Sequence, residues 1–116
     1  MIVLMLLVGC GSSAPPPDAE LAEARSFIAQ AEESGSAEYA PLQLRNARQK
    51  AERAEALMRE GENEEARRLA EQALVDAELA EAVAASEKAK AAVEEVRASI
   101  ETLRQEIERN RTRSGG

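Results

Sequence analysis

Residues 62–114 contain neither glycine nor proline. Those two residues most often interrupt a helix, glycine through its backbone freedom and proline through its missing N–H. The stretch is built largely from Ala, Glu, Arg and Leu, all good helix formers. It constrains the chain to one long helix, around which everything else has to be arranged. Capping and termination signals place that helix over 64–109, which at 1.5 Å per residue would be roughly 69 Å long. Asn63 is positioned to cap it, and Glu64 and Glu65 follow at its positive end.

Two shorter helices precede it. Asp18 follows Pro15, Pro16 and Pro17 and can cap a helix whose inner face is Leu21, Ala24, Ile28 and Ala31, at spacings of three and four. Ser34-Gly35-Ser36 ends it, Gly35 suiting the left-handed conformation just past a helix. The second helix begins between Ser36 and Pro41. Its core face is Leu44, Ala47, Ala51, Ala54 and Met58, with Leu42 and Leu57 flanking, and Gly61 ends it. At about 20 residues it would be only about 30 Å long. A short turn at Gly61 makes the second and third helices antiparallel neighbours. The second then covers the third only to about Ala84 or Ala85, and the first packs alongside that same half. Phe27 and Tyr39, on either side of the first turn, form a small aromatic plug. The expected fold is all-α: an antiparallel helical hairpin or three-helix bundle over 18–110, with a long, partly unpartnered C-terminal helix and a flexible tail at 111–116.

The uncovered part of the long helix carries Val93, Val96, Ile100, Leu103 and Ile107, spaced 3, 4, 3 and 4. This is heptad spacing, with β-branched residues at Val93, Ile100 and Ile107. Leaving such a stripe in water is unfavourable. The favoured arrangement is an interaction seam that pairs with another copy of the chain or with another protein. The competing arrangement is internal: the helix bends near Ser86 and folds back, or the seam covers the first helix in a staggered bundle.

Composition removes several chemistries. The chain has no His, no Trp and one Cys, and it carries 15 Lys+Arg against 22 Asp+Glu, a net charge of -7. Without His the commonest general acid or base near neutral pH is missing, and so is any His-supported nucleophile. Cysteine/histidine zinc sites need several ligands, and Cys10 stands alone. An acidic chain with 2% aromatics lacks both the cation clusters and the stacking platforms that nucleic acids need. The expectation is no catalysis, no cofactor, no metal, no nucleic acid and no small-molecule substrate. The 24 alanines among 116 residues bury little apolar area. At about 25 cal/mol per Å² such a core is marginal alone, and a partner would help it.

Residues 1–9, MIVLMLLVG, are an apolar run. They are too few to span a bilayer, which takes about 20. Leu7-Val8-Gly9-Cys10 resembles the lipobox of bacterial lipoproteins. The resemblance implies cleavage before Cys10 and lipidation of its thiol, giving a membrane anchor facing the periplasm. Acyl chains hold by about 0.8 kcal/mol per buried methylene. No Lys or Arg precedes Cys10, although signal peptides open on positive charge. Residues 1–9 therefore read as a signal-peptide remnant whose start lies upstream. Gly11 in place of Asp after the cysteine leans, by the same resemblance, to the outer membrane over the inner. Residues 10–17 combine the lipidated Cys10 with a Pro-rich tether, extended at about 3.1 Å per residue.

Two further patterns have plain readings. Gly61-Glu62-Asn63-Glu64-Glu65-Ala66, with Ala70, Ala73 and Leu74, resembles the second half of a tetratricopeptide repeat, but one repeat cannot bury a solenoid core. A generic helical hairpin uses the same close packing. Arg109, Arg111 and Arg113 complement the negative end of a helix; the sharper reading is contact with an anionic wall polymer or membrane.

The Ala-Glu-Tyr-Ala-Pro-Leu segment at 37–42, the Arg-x-Ala-x-x-Ala helix face and the Gly…Ala-Arg-Arg-Leu-Ala hairpin ending in Val75-Asp76-Ala77-Glu78-Leu79-Ala80 lie within 21–82. This stretch resembles the family known as domain of unknown function 4398. The resemblance implies a small helical lipoprotein of a Gram-negative envelope and transfers no functional residue. The combined expectation is a lipid-anchored periplasmic structural or interaction protein. The alternative is a helical adapter that binds a peptide or lipid.

Overall fold

The computed structural model describes residues 13–116. The signal-peptide remnant expected at 1–9, and Cys10 with its expected lipid, lie outside the described residues. Within them the chain is all-helical: α1 (Asp18–Glu33), α2 (Ser36–Tyr39), α3 (Pro41–Arg59) and α4 (Asn63–Ser114).

Local chemistry sets the breaks. Gly35 has φ 88° and Gly61 has φ 82°, a region costly for any residue with a Cβ. At Gly35 there is a second constraint, because a Cβ would stand 2.9 Å from the Lys88 side chain. Ala40, held off helical geometry by the following proline, has φ -142° and ψ 49°. Pro41 then takes the first helical position of α3, where its missing N–H costs nothing. The expected second helix is thereby split into the single turn α2 and the longer α3.

Ion pairs give the register. Arg48 meets Glu32 at 2.6 Å and Arg25 meets Glu55, so α1 runs antiparallel to α3. Lys50 meets Asp76 at 2.7 Å across α3 and α4, and Arg67 meets Glu20 at 2.8 Å across α4 and α1. Reversal at Gly61 makes α4 antiparallel to α3, and therefore parallel to α1.

One apolar core joins these helices. α1 contributes Leu21, Ala24, Ile28 and Ala31, and α3 contributes Leu44, Ala47, Ala51 and Ala54. α4 contributes alanine alone: Ala66, Ala70, Ala73, Ala77, Ala80 and Ala84 are each 0% exposed. A methyl group per turn adds little bulk from α4's side, so the larger Leu21, Ile28 and Leu44 of α1 and α3 pack against a nearly smooth helix face. Leu69, Leu74 and Val83 pack on this core from its margin, as do Phe27 and Tyr39.

Four expectations need correction. Leu57, taken as flanking, is buried, whereas Met58 packs against the core while partly exposed. Spacings of three and four after Ala54 admit either residue. The flexible tail expected from 111 is helical through Ser114, because nothing breaks the backbone before Gly115, and Arg111 and Arg113 suit the negative end. Asn63 does not cap α4; it is the first helical residue, and its side-chain amide donates to the Ala14 carbonyl at 2.7 Å. The tether is not free in its last part, since Arg67 also donates to the Pro15 carbonyl at 3.1 Å and Pro17 is buried. Prolines offer only carbonyls for pairing, and α4 supplies the donors.

Candidate interaction surface

The covered half of α4 ends at a clasp. Lys88 donates to the Ser34 carbonyl past the end of α1, and its ammonium lies 5.7 Å from the Tyr39 ring centre. Beyond it, every residue from 89 to 116 is exposed. The helix continues unbroken through Ser86, so it does not fold back, and α1 packs on its other side.

Val93, Val96, Ile100, Leu103 and Ile107 stand along one line of this bare helix, each between 44% and 57% exposed. The line starts earlier than the sequence reading had it. Val75 and Leu79 are 58% and 49% exposed, although they lie in the half covered by α1 and α3. Ala82, Ser86 and Ala89, all exposed, join them to Val93 at the same alternation of four and three. The stripe therefore spans 75–107 without a break in register. The register thus covers more than four heptads, with large apolar residues at 75–79 and 93–107 and the small Ala82, Ser86 and Ala89 between them. Its signal was present in the sequence, but the adjacent alanine face and Leu74 share the same spacing and mask it.

The two faces of α4 do not compete. At about 100° per residue, the stripe over 75–93 stands about 180° from the buried alanines. Among the described residues, α1 and α3 therefore occupy one side of α4 and leave the stripe side exposed, Val75 lying at the edge of the groove with α3.

Charges flank the stripe in rows. Lys90, Arg97, Arg104 and Arg111 recur every seven residues along one edge. Three residues before each stands Glu87, Glu94, Glu101 or Glu108. Lys90 pairs with Glu87 at 2.7 Å and Arg97 with Glu94 at 2.8 Å. Such exposed pairs support a helix by about 0.2–0.5 kcal/mol each. The opposite edge is small and nearly uncharged: Ala85, Ala92, Ser99 and then Glu106.

Elsewhere the surface offers little chemistry. Two open grooves, between α3 and α4 and between α1 and α3, include the inter-helix ion pairs Lys50 with Asp76 and Arg25 with Glu55 in their walls. Among the described residues no cluster of His, Cys, Asp or Glu could hold a metal ion. No described helix is long and apolar enough to cross a membrane. One carboxyl is shifted: a hydrogen bond from its own backbone N–H, and then the Arg67 guanidinium, hold Glu20 below the usual carboxylate range.

The family model described as Domain of unknown function (DUF4398) matches residues 19–96. The chain belongs to this family. The DUF4398 match takes in α1, α2, α3 and the covered half of α4, together with Val93 and Val96 of the seam. Ile100, Leu103 and Ile107 lie beyond it. No curated protein and no solved structure matches the chain.

Proposed function

We propose that this DUF4398 protein is a lipid-anchored, non-catalytic interaction protein of the bacterial envelope. In it α1, α3 and the first half of α4 act as a three-helix bundle that holds out the rest of α4. The observation carrying this reading is the bare second half of α4 with its apolar stripe. A side chain such as Ile or Leu contributes about 1.5–3 kcal/mol when fully buried. A helix that leaves a row of them half-exposed is suited to a partner.

The path of the chain supports the anchor. Ala14 and Pro15 are bound at the foot of α4 by Asn63 and Arg67. A lipid on Cys10 would hold that foot close to the membrane, in this reading the outer membrane. Ile107 would then stand about 66 Å further along the helix, at 1.5 Å per residue. The lipid supplies the address and the stripe supplies the contact.

The anchor is tested by expressing the gene in a Gram-negative host fed labelled palmitate. The expected result is label on the wild-type protein and none on Cys10→Ser. An unlabelled wild-type protein removes the anchor. For the contact, a photo-crosslinker at Ile100 in cells is expected to give a discrete adduct that Ala98, on the outer face, does not.

A further inference from the structure

We infer that the occupant of the stripe is a second copy of this chain, paired with the first in parallel and in register as a two-stranded coiled coil over 75–107. The inference rests on the reading of the stripe as a contact surface and is independent of the lipid anchor.

Three observations select this occupant. The first is length and continuity. A strict alternation of four and three over 75–107 winds with a left-handed drift about a straight helix. A globular partner has no reason to follow that line for so long, whereas an identical helix follows it naturally. The second is residue type. In the far half Val93, Ile100 and Ile107 fall at the a positions, with Val96 and Leu103 at d; β-branched a with Leu at d favours two strands, and Leu103 supplies that pairing between Ile100 and Ile107. Ala82, Ser86 and Ala89 keep the upper covered half slim, and the opposite placement of the alanine face keeps α1 and α3 clear of the second chain.

The third is charge, and it sets direction. Lys90, Arg97, Arg104 and Arg111 occupy the e positions. In an antiparallel pair e faces e, so this row of cations would meet its own copy. Like charges brought together in this way are destabilising. In a parallel pair e faces the g edge of the other chain. There the cations meet Ala85, Ala92 and Ser99, which carry no charge, and finally Glu106, which attracts Arg111. Parallel pairing also puts both N-termini at the same end.

The test uses the full chain carrying Cys10→Ser, purified in mild detergent, with one new cysteine at a time. Leu79→Cys and Leu103→Cys lie on the stripe; Ala98→Cys lies on the outer face of the same helix. Each stripe variant is expected to form a disulfide-linked dimer with itself on mild oxidation, and Ala98→Cys is not. Sedimentation at high micromolar concentration is expected to give the mass of two chains, halved by Ile100→Asp with Leu103→Asp. Disulfides that form only when Leu79→Cys and Leu103→Cys are mixed mean an antiparallel pair and overturn the inference, as does a mass of three or four chains. A monomer without self-crosslinks overturns it too. If Ile100 in cells then captures a different protein, the second copy falls and the contact surface stands; if it captures nothing, both fall.

Discussion

The two halves of α4 are one uninterrupted helix serving opposite purposes. Up to Ala84 its inner face is alanine alone, fully buried against α1 and α3. After Lys88 nothing among the described residues covers it, and there Val93, Val96, Ile100, Leu103 and Ile107 stand exposed. The face that α4 turns to α1 and α3 is built from small side chains, and the stripe of its far half from large ones, four of the five β-branched. Small residues gain little from burial individually but let backbones close up. Large ones need a matching surface. A stretch of bare helix gains nothing from tertiary packing, which in most proteins supplies most of a helix's stability. In the far half, propensity, i,i+3 ion pairs and whatever docks on the stripe must do that work.

This contrast can be broken by substitution. Leu44, in the first turn of α3, is 2% exposed within the core of the covered half. Leu44→Ala is expected to cost about 2–5 kcal/mol in urea unfolding. Ile100→Ala, made in the bare half and measured at concentrations where the chain is a monomer, should change stability by less than about 0.5 kcal/mol. Equal losses would mean that the bare half is cored after all.

The next effect sharpens the alanine argument. Ala77→Leu forces bulk into a contact with no room and should cost about 1–3 kcal/mol. Ala98→Leu, the same change on the exposed helix, should be near neutral, and the pair of urea midpoints measures the difference.

The smallest effect is electrostatic. Glu20 ties α1 to Arg67, with its carboxyl held below the ordinary range. A depressed folded-state pKa stabilises above the unfolded value and loses that contribution as pH falls through the folded one. Thermal melts should therefore drop more steeply below about pH 4.3 in the wild type than in Glu20→Gln. Ile100→Ala removes no charge and lies far from the Glu20–Arg67 pair, so it should leave the acid profile unchanged.

Much of the fold was legible from local signals. Gly35, Pro41 and Gly61 marked the breaks, and the alanine spacing marked the inner faces. What was not legible depended on geometry that spacing leaves open. Leu57 and Met58 both continue the pattern after Ala54, and only the packed helix decides between them. α2 is one turn, too short for any periodicity to register. The docked prolines and the lost cap at Asn63 share a cause, because donors on α4 meet carbonyls 49 and 52 residues earlier. Of the stripe, the five residues from Val93 to Ile107 were readable, since nothing else in that segment is apolar at that spacing. Val75 and Leu79 were not, because a helix with two apolar faces shows no clean period.

The binding of Ala14 and Pro15 at the foot of α4 has a mechanical consequence. Force applied through the preceding residues meets the Asn63 and Arg67 side chains before it reaches the first turn of α1. Tension is thus handed directly to the longest rigid element in the molecule. While these two hydrogen bonds hold, a pull on the N-terminal segment is shared between α4 and the first turn of α1, which Arg67 also grips through Glu20.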